Sequence, residues 1–287
     1  MKMKKILIWF GAVVLILLLS AGTFFGLYIY PFMKVMKATK TIAYDKDLTL
    51  IIGGGGNTGI LKSDSIVLVI DTKMDEAAEK LFDTVKQIAG NRPVLVINSH
   101  IHSDHVKGNS LFKGYSILAG GNYSKEKWLE EAGEKTMPTQ WLKDRMDFKV
   151  GDEWVTILNL GKNIHTISDV VVYLHNRKML FAGDVILNKQ VPAIFKKHGA
   201  SVNGYLNAFD FLTKEFDIQT VVPGHGDIGG VEVINNFRQY FIDMKTAAND
   251  PSKESEYKEK YKDWRQIPFL MSPSATIGFI KEEGEQK

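Results

Sequence analysis

The 287-residue chain has no cysteine, which excludes both disulfide bonds and thiolate metal ligands and leaves its redox compartment unmarked. Any metal site must be built from imidazole and carboxylate. Acid is absent from residues 1–40, which carry six lysines, and no charge of either sign falls between Lys5 and Lys34. An apolar run of that length exceeds the about 20 residues that cross a bilayer as a helix and the about 7–15 of a signal-peptide core, so a membrane anchor is expected. Cleavage at Ser20-Ala21-Gly22 is the alternative, giving a secreted protein with a greasy start. Without those six lysines, 30 basic groups face 33 acidic ones, a net of −3, which argues against a nucleic-acid partner. A phosphate loop is also lacking, because Ile60 and Leu61 follow the Gly54–Gly59 step where lysine and a hydroxyl residue are required.

Histidine is scarce as well, at seven residues, yet three of them crowd into Asn98-Ser99-His100-Ile101-His102-Ser103-Asp104-His105. In an extended run His100, His102 and Asp104 would point to one side, and a turn into a helix would swing His105 beside them. Four N/O donors exceed what one catalytic metal takes from a local motif, because such metals keep an open position. The spacing therefore points to two metals. The competing reading is a cluster of solvated or core histidines. Three more candidates, His165, Asp184 and His225, each follow a strand-like run (155–160, 179–182, 220–222) and so sit at strand carboxyl ends, where open α/β sheets place their chemistry.

Around these motifs the pattern alternates strand and helix. Short strands are expected at 41–44, 48–52 and 58–62, with a flexible glycine turn at 53–57, then a buried strand at 65–70 ending on Asp71. Ala78, Leu81, Phe82, Val85 and Ile88 give 75–89 a helical rhythm closed by Gly90. Strands follow at 93–97 and 115–119, a helix at 124–132, strands at 148–150 and 154–160, and a hairpin of 170–174 with 178–182 that leaves His175 at its tip. Helices are expected at 203–215 and 230–248, before a solvated charged segment at 252–260.

Asp71 after a buried strand, H-x-H-x-D-H from His100 to His105, then His165, Asp184 and His225 in order resemble the pattern of the metallo-β-lactamase superfamily, over about residues 41–245. One departure is Lys107, where the family usually has the first glycine of D-H-x-G-G-N; it follows the last motif residue and should alter the helix start rather than coordination. The resemblance implies an α/β fold, a four-layer αββα sandwich preceded here by the transmembrane helix. It implies that His100, His102 and His165 bind one metal and Asp104, His105 and His225 the other, with Asp184 bridging and Asp71 supporting the metal loop by hydrogen bonds. Asp104 and Asp184 are the implied catalytic carboxylates, and His198 lies in a connection that passes the site mouth, where it can touch substrate or stand solvated. Two zinc ions are the expected cofactor, the donor set being compatible with iron or manganese. The expected organisation is an anchor at 1–40, a hydrolase domain at 41–250 and a C-terminal extension at 251–287 packed on it.

The implied activity is metal-dependent hydrolysis of a small ester, thioester, lactone or lactam, outside the cytoplasm. Redox chemistry on oxygen or persulfide, or metal binding without catalysis, are the alternatives. Expected partners are a small-molecule substrate and the membrane; nothing in the sequence sets an oligomeric state.

Overall fold

The computed structural model describes residues 2–284, so Met1 of the expected anchor and the last three residues of the expected extension lie outside the described residues. An apolar helix opens the chain: α1 (Lys2–Phe24), a π-helical turn (Phe25–Ile29) and α2 (Tyr30–Lys37) run without a break. Its Lys4–Lys34 stretch has mean hydropathy 2.5 and is long and apolar enough to cross a membrane. The helix passes directly into β1 (Thr39–Ala43), which pairs antiparallel with β2 (Leu48–Gly53).

Two mixed sheets follow. The first adds β3 (Thr58–Lys62), β4 (Val67–Ile70), β5 (Val94–Ile97), β6 (Ser116–Gly120) and β7 (Gln140–Leu142) in sequence order, antiparallel to β4 and parallel beyond it. The second has the order β12 (Thr220–Val222), β11 (Met179–Phe181), β10 (Val170–Leu174), β9 (Glu153–Asn159) and β8 (Arg145–Val150), parallel only between β11 and β12. The period of two sorts the side chains. Leu68 and Ile70 of β4 enter the apolar layer between the sheets with Val170, Val172 and Leu174 of β10. Val67 and Val69 face outward, under Leu81, Val85 and Ala89 of helix α3 (Asp75–Ala89). Val171 and Tyr173 of β10 face outward on the other side. Strands covered on both faces read as continuous apolar runs, which is why these did.

The outer layer on the second sheet is aromatic. Tyr205 and Phe209 come from one helix (Val202–Glu215), and Phe237, Tyr240 and Phe241 from another (Glu232–Asn249). The C-terminal segment packs here too: Tyr240 meets Tyr261 and Trp264 at ring separations of 4.9 and 5.2 Å, and Tyr240 OH hydrogen-bonds Thr276 Oγ1 at 2.7 Å. A final helix, Pro273–Gly284, had no expectation in the sequence reading. The layers are thus helix, sheet, sheet, helix.

Candidate metal centre

All the motif residues stand on turns at strand carboxyl ends on one edge of the sandwich. The six-residue motif does not run as an extended strand: β5 stops at Ile97, Asn98–Ile101 bends, and a short helix begins at Ser103 with His102 as its N-cap. Bending lets His100 and His105 approach to 4.1 Å between ring centroids, which strand alternation would not. Lys107 starts a 3-10 turn and pairs with Asp75 at the surface, clear of the cluster.

The side chains gather into two nests. His100, His102, His165 and Asp184 form one, and Asp104, His105 and His225 the other, each with its donor atoms within 4.8 Å of one another. In the first, His102 Nδ1 lies 3.1 Å from His100 Nε2 and 2.9 Å from His165 Nε2. In the second, His225 Nε2 is 3.0 Å from Asp104 Oδ2 and 3.4 Å from His105 Nε2. Asp184 stands between them, its Oδ2 3.4 Å from His165 Nε2 and its Oδ1 3.2 Å from His105 Nε2.

Electrostatics sorts the rings. Burial, helped by neighbouring imidazoles, holds His100 well below the usual histidine value and takes His102 to about 3 and His165 to about 4. Those rings are neutral, with lone pairs free. Burial also opposes charge on His105, but Asp71, Asp184 and Asp104 outweigh it and raise this ring well above the usual value. Burial opposes the anions Asp104 and Asp184 too, and the surrounding histidines overcome it and lower both. Asp184 Oδ1 is buried with no hydrogen-bond partner. Facing lone pairs and an orphaned carboxylate oxygen are poor company for one another. They suit divalent cations, whose binding would release the His105 proton. The residues present fit a metal pair.

The other nitrogens of His100, His102, His105 and His165 each have a partner that sets the tautomer. Asp71, forced to φ +61° at the end of β4, accepts from Ser99 N, Ser99 Oγ and His105 Nδ1, each at 2.7 Å. Ser99 Oγ also meets His100 Nδ1 at 3.0 Å. His165 Nδ1 meets the buried Tyr205 OH at 2.7 Å, and His102 Nε2 meets His198 Nδ1 at 2.8 Å. Burial lowers the His198 ring below the usual histidine value as well. His175 stays on its hairpin, bonded to Thr156 Oγ1 at 2.8 Å.

The family assignment follows from this order of elements. The family model of the metallo-β-lactamase superfamily matches residues 51–225. The chain belongs to the metallo-β-lactamase superfamily. Among relatives, a metallo-beta-lactamase type 2 of Bacteroides fragilis is 24% identical over 192 residues, 63% of this chain and 76% of that one. An acyl-coenzyme A thioesterase of Homo sapiens is 22% identical over 226 residues, covering 66% and 80%. The solved metallo-beta-lactamase from Pontibacter korlensis shares the fold with a TM-score of 0.61 at 18% identity, over 72% of this chain and all of that one. As these relatives are hydrolases, this superfamily member is an enzyme of the hydrolase class.

Several neighbours escaped the sequence reading. Gly53–Gly56, expected to be flexible, is a fitted seam: a Cβ on Gly55 would meet Asp104 O at 2.6 Å, and one on Gly56 would enter the His105 ring. Lys73, fully buried, ties the seam down by donating to Ile51 O, Gly53 O and Gly56 O at 2.9, 2.5 and 2.7 Å. Burial lowers this ammonium to about 7 against the pull of Asp71 and Asp104. A lysine two residues after Asp71, just past a buried strand, was the available signal. Tyr205 offered none, being one aromatic among many on its helix.

A cavity of about 370 Å³ opens beside the nests, bounded by His102, Asp104, Asp184, His198 and His225. The expected substrate-loop histidine therefore lines it. So do Phe32 and Met36 of α2.

Proposed function

We propose that the protein is a membrane-anchored, metal-dependent hydrolase that opens an ester, thioester, lactone or lactam. The observation that carries this reading is the pair of imidazole and carboxylate nests sharing Asp184 at the floor of an open cavity. In this reading His100, His102 and His165 hold one zinc ion, Asp104, His105 and His225 the other, and Asp184 serves both. Bound there, the cations would supply Lewis acidity and lower the pKa of a water towards neutrality. The chain does the rest. Asp71 holds both Ser99 and His105 so that His100 and His105 keep their inner nitrogens unprotonated, and Tyr205 does the same for His165. Asp104, at the cavity wall and anionic, takes the water's proton and returns it to the leaving group. His198, joined to His102, bounds the substrate side.

The names of the relatives support the choice of bonds: lactams for the bacterial ones, thioesters for the human one. We place the anchor at residues 1–40, the hydrolase domain at 41–250 and its packed extension at 251–287. The short basic tail of Lys2, Lys4 and Lys5 favours an N-in orientation with the catalytic domain outside the cytoplasm. The test is elemental analysis of the purified chain followed by turnover of chromogenic esters, thioesters, lactones and lactams with and without chelator. Two equivalents of zinc and chelator-sensitive turnover are expected. A metal-free chain after reconstitution, or turnover indifferent to chelator, refutes it.

A further inference from the structure

The cavity is lined by unlike groups. Its lining includes His102, Asp104, Asp184 and His225, and also the apolar Phe32 and Met36 of α2 and Met271 of the C-terminal segment. Phe32 and Met36 are four residues apart, so they share the helix face turned to the cavity. That helix is the end of the apolar Lys4–Lys34 stretch, whose 31 residues span about 46 Å at 1.5 Å per residue, against about 30 Å of hydrocarbon in a bilayer. Its last turns, with exposed Lys34 and Lys37, therefore stand at the headgroup layer, and the cavity stands there with them.

A second feature points the same way. The Ile267–Met271 turn, closed by Ile267 N to Met271 O at 2.9 Å, pushes out Phe269 at 88% exposure and Leu270 at 54%. Phe269 takes φ +67°, an unusual backbone for a bulky side chain, and its ring reaches Phe24 at 6.3 Å. Phe24 precedes Lys34 by ten residues, about 15 Å deeper along the helix. A bare phenylalanine held against a membrane-crossing helix at that level, with exposed Leu270 beside it in sequence, faces hydrocarbon, and the next residue, Met271, lines the cavity.

We propose that the substrate is a long-chain acyl ester or thioester resident in the bilayer, entering the cavity sideways between α2 and the Ile267–Met271 turn. The acyl chain lies along Phe32, Met36 and Met271, and the carbonyl comes to rest over the nests. Hydrolysis there bonds a water oxygen to the carbonyl carbon and breaks the C–O or C–S bond. The leaving oxygen or sulfur takes one proton, and the acid released ionises to carboxylate and a second proton. The inference rests on the hydrolase and anchor readings above, and adds which substrates that site meets.

The experiment uses the full zinc-loaded chain in phosphatidylcholine vesicles, with p-nitrophenyl butanoate and p-nitrophenyl hexadecanoate and the matching thioesters as probes. The expected result is a kcat/KM at least about tenfold higher for the sixteen-carbon chain. Turnover without chain-length preference overturns this inference and leaves the hydrolase reading intact; no turnover of either chain length overturns this inference, and the hydrolase reading falls with it only when the lactones and lactams also fail. Replacing Phe269→Asp and Leu270→Asp together should reduce the preference to within about threefold while butanoate turnover stays level, which also shows that the variant folds. Because the chain has no cysteine, Phe269→Cys gives a unique site for a nitroxide label. In vesicles the label should collide readily with oxygen and be shielded from a water-soluble nickel chelate. Free access of the chelate overturns the proposal independently of any activity.

Discussion

Neutralising Asp71 without changing its shape should act on both nests at once. Lone pairs at His100 Nε2 and His105 Nε2 require protons on the opposite nitrogens. Those protons run in a chain: His100 Nδ1–H donates to Ser99 Oγ, whose hydroxyl donates to Asp71 Oδ2, which also accepts from His105 Nδ1–H. In Asp71→Asn, an amide nitrogen at the Oδ2 position can only donate. His105 must then accept at Nδ1 and carry its proton on Nε2, and Ser99 must turn its hydroxyl towards His100, forcing the same switch there. The flipped amide faces Ser99 N–H, donor against donor, in a site 1% exposed. Either way charge-assisted bonds of about 1.5–3 kcal/mol each are lost and only part returns as neutral bonds. A net loss of about 2 kcal/mol corresponds to about 30-fold in zinc affinity, inside the about 10–100-fold range for groups that orient ligating histidines. The assay is turnover against added zinc, beside Asp184→Asn. Excess zinc should restore part of the Asp71→Asn activity. Asp184→Asn should stay orders of magnitude down, because the charge facing both nests is lost and the amide nitrogen turns N–H groups towards one of them, His105 and His225 from the Oδ1 position or His165 from the Oδ2 position, at 3.2 to 3.5 Å. If the two variants are equally dead and equally unrescued, Asp71 acts directly on the metals or substrate and the assignment is wrong.

Alanine at His225 or His105 should lower zinc content from about two equivalents to about one and reduce turnover sharply; unchanged stoichiometry by elemental analysis refutes the second nest. Chelation should lower the thermal midpoint by roughly 10–20 °C, since zinc at 100 times its Kd stabilises by about 2.7 kcal/mol per site, about 5.4 kcal/mol for two, and 1 kcal/mol moves a domain of this size by about 2–4 °C; an unmoved midpoint would mean no cation binds to the folded nests. Lys73→Met removes the donor to three carbonyls, two of them in buried bonds and each of those costing about 1–3 kcal/mol when unpaired, so the urea midpoint should fall clearly, and an unchanged midpoint would show that the seam holds without it. A reporter fused after Lys287 should be active only outside the cytoplasm, and a mature chain starting near Thr23 would turn the anchor into a cleaved signal.

What was legible in the sequence was whatever depends on local periodicity or on residue types that have few other uses. The strands at Thr58–Lys62 and Val170–Leu174 and the helix at Asp75–Ala89 match their patterns residue for residue, because both faces of each strand are covered and the helix buries one stripe. The edge strand Gln140–Leu142 escaped notice, three residues being too few to show a period. Each nest gathers side chains from far apart in the chain, yet the order of histidines and aspartates along it named them, since seven histidines leave few ways to be wrong.

The reverse holds for what surrounds them. Four glycines in a row carry no side-chain signal, so rigidity imposed by Lys73, Asp104 and His105 looks the same in sequence as slack. Phe32 and Met36 were read only as part of an apolar helix, because hydropathy registers how greasy a residue is and not which wall it builds. Yet the same residues bound the cavity that holds Asp104 and Asp184. Shortening the helix far enough would therefore remove part of the cavity lining. The chain passes from Lys37 into β1 with only Ala38 between them, and Gly55 N binds Met36 O at 3.0 Å, so the helix end is fixed to the seam that packs on Asp104 and His105. Helix end and cavity wall are joined at this point, so a truncation that removes Phe32 and Met36 is expected to change turnover of the water-soluble butanoate probe, whereas one that stops before Phe24 keeps both residues on the wall and should leave that turnover level.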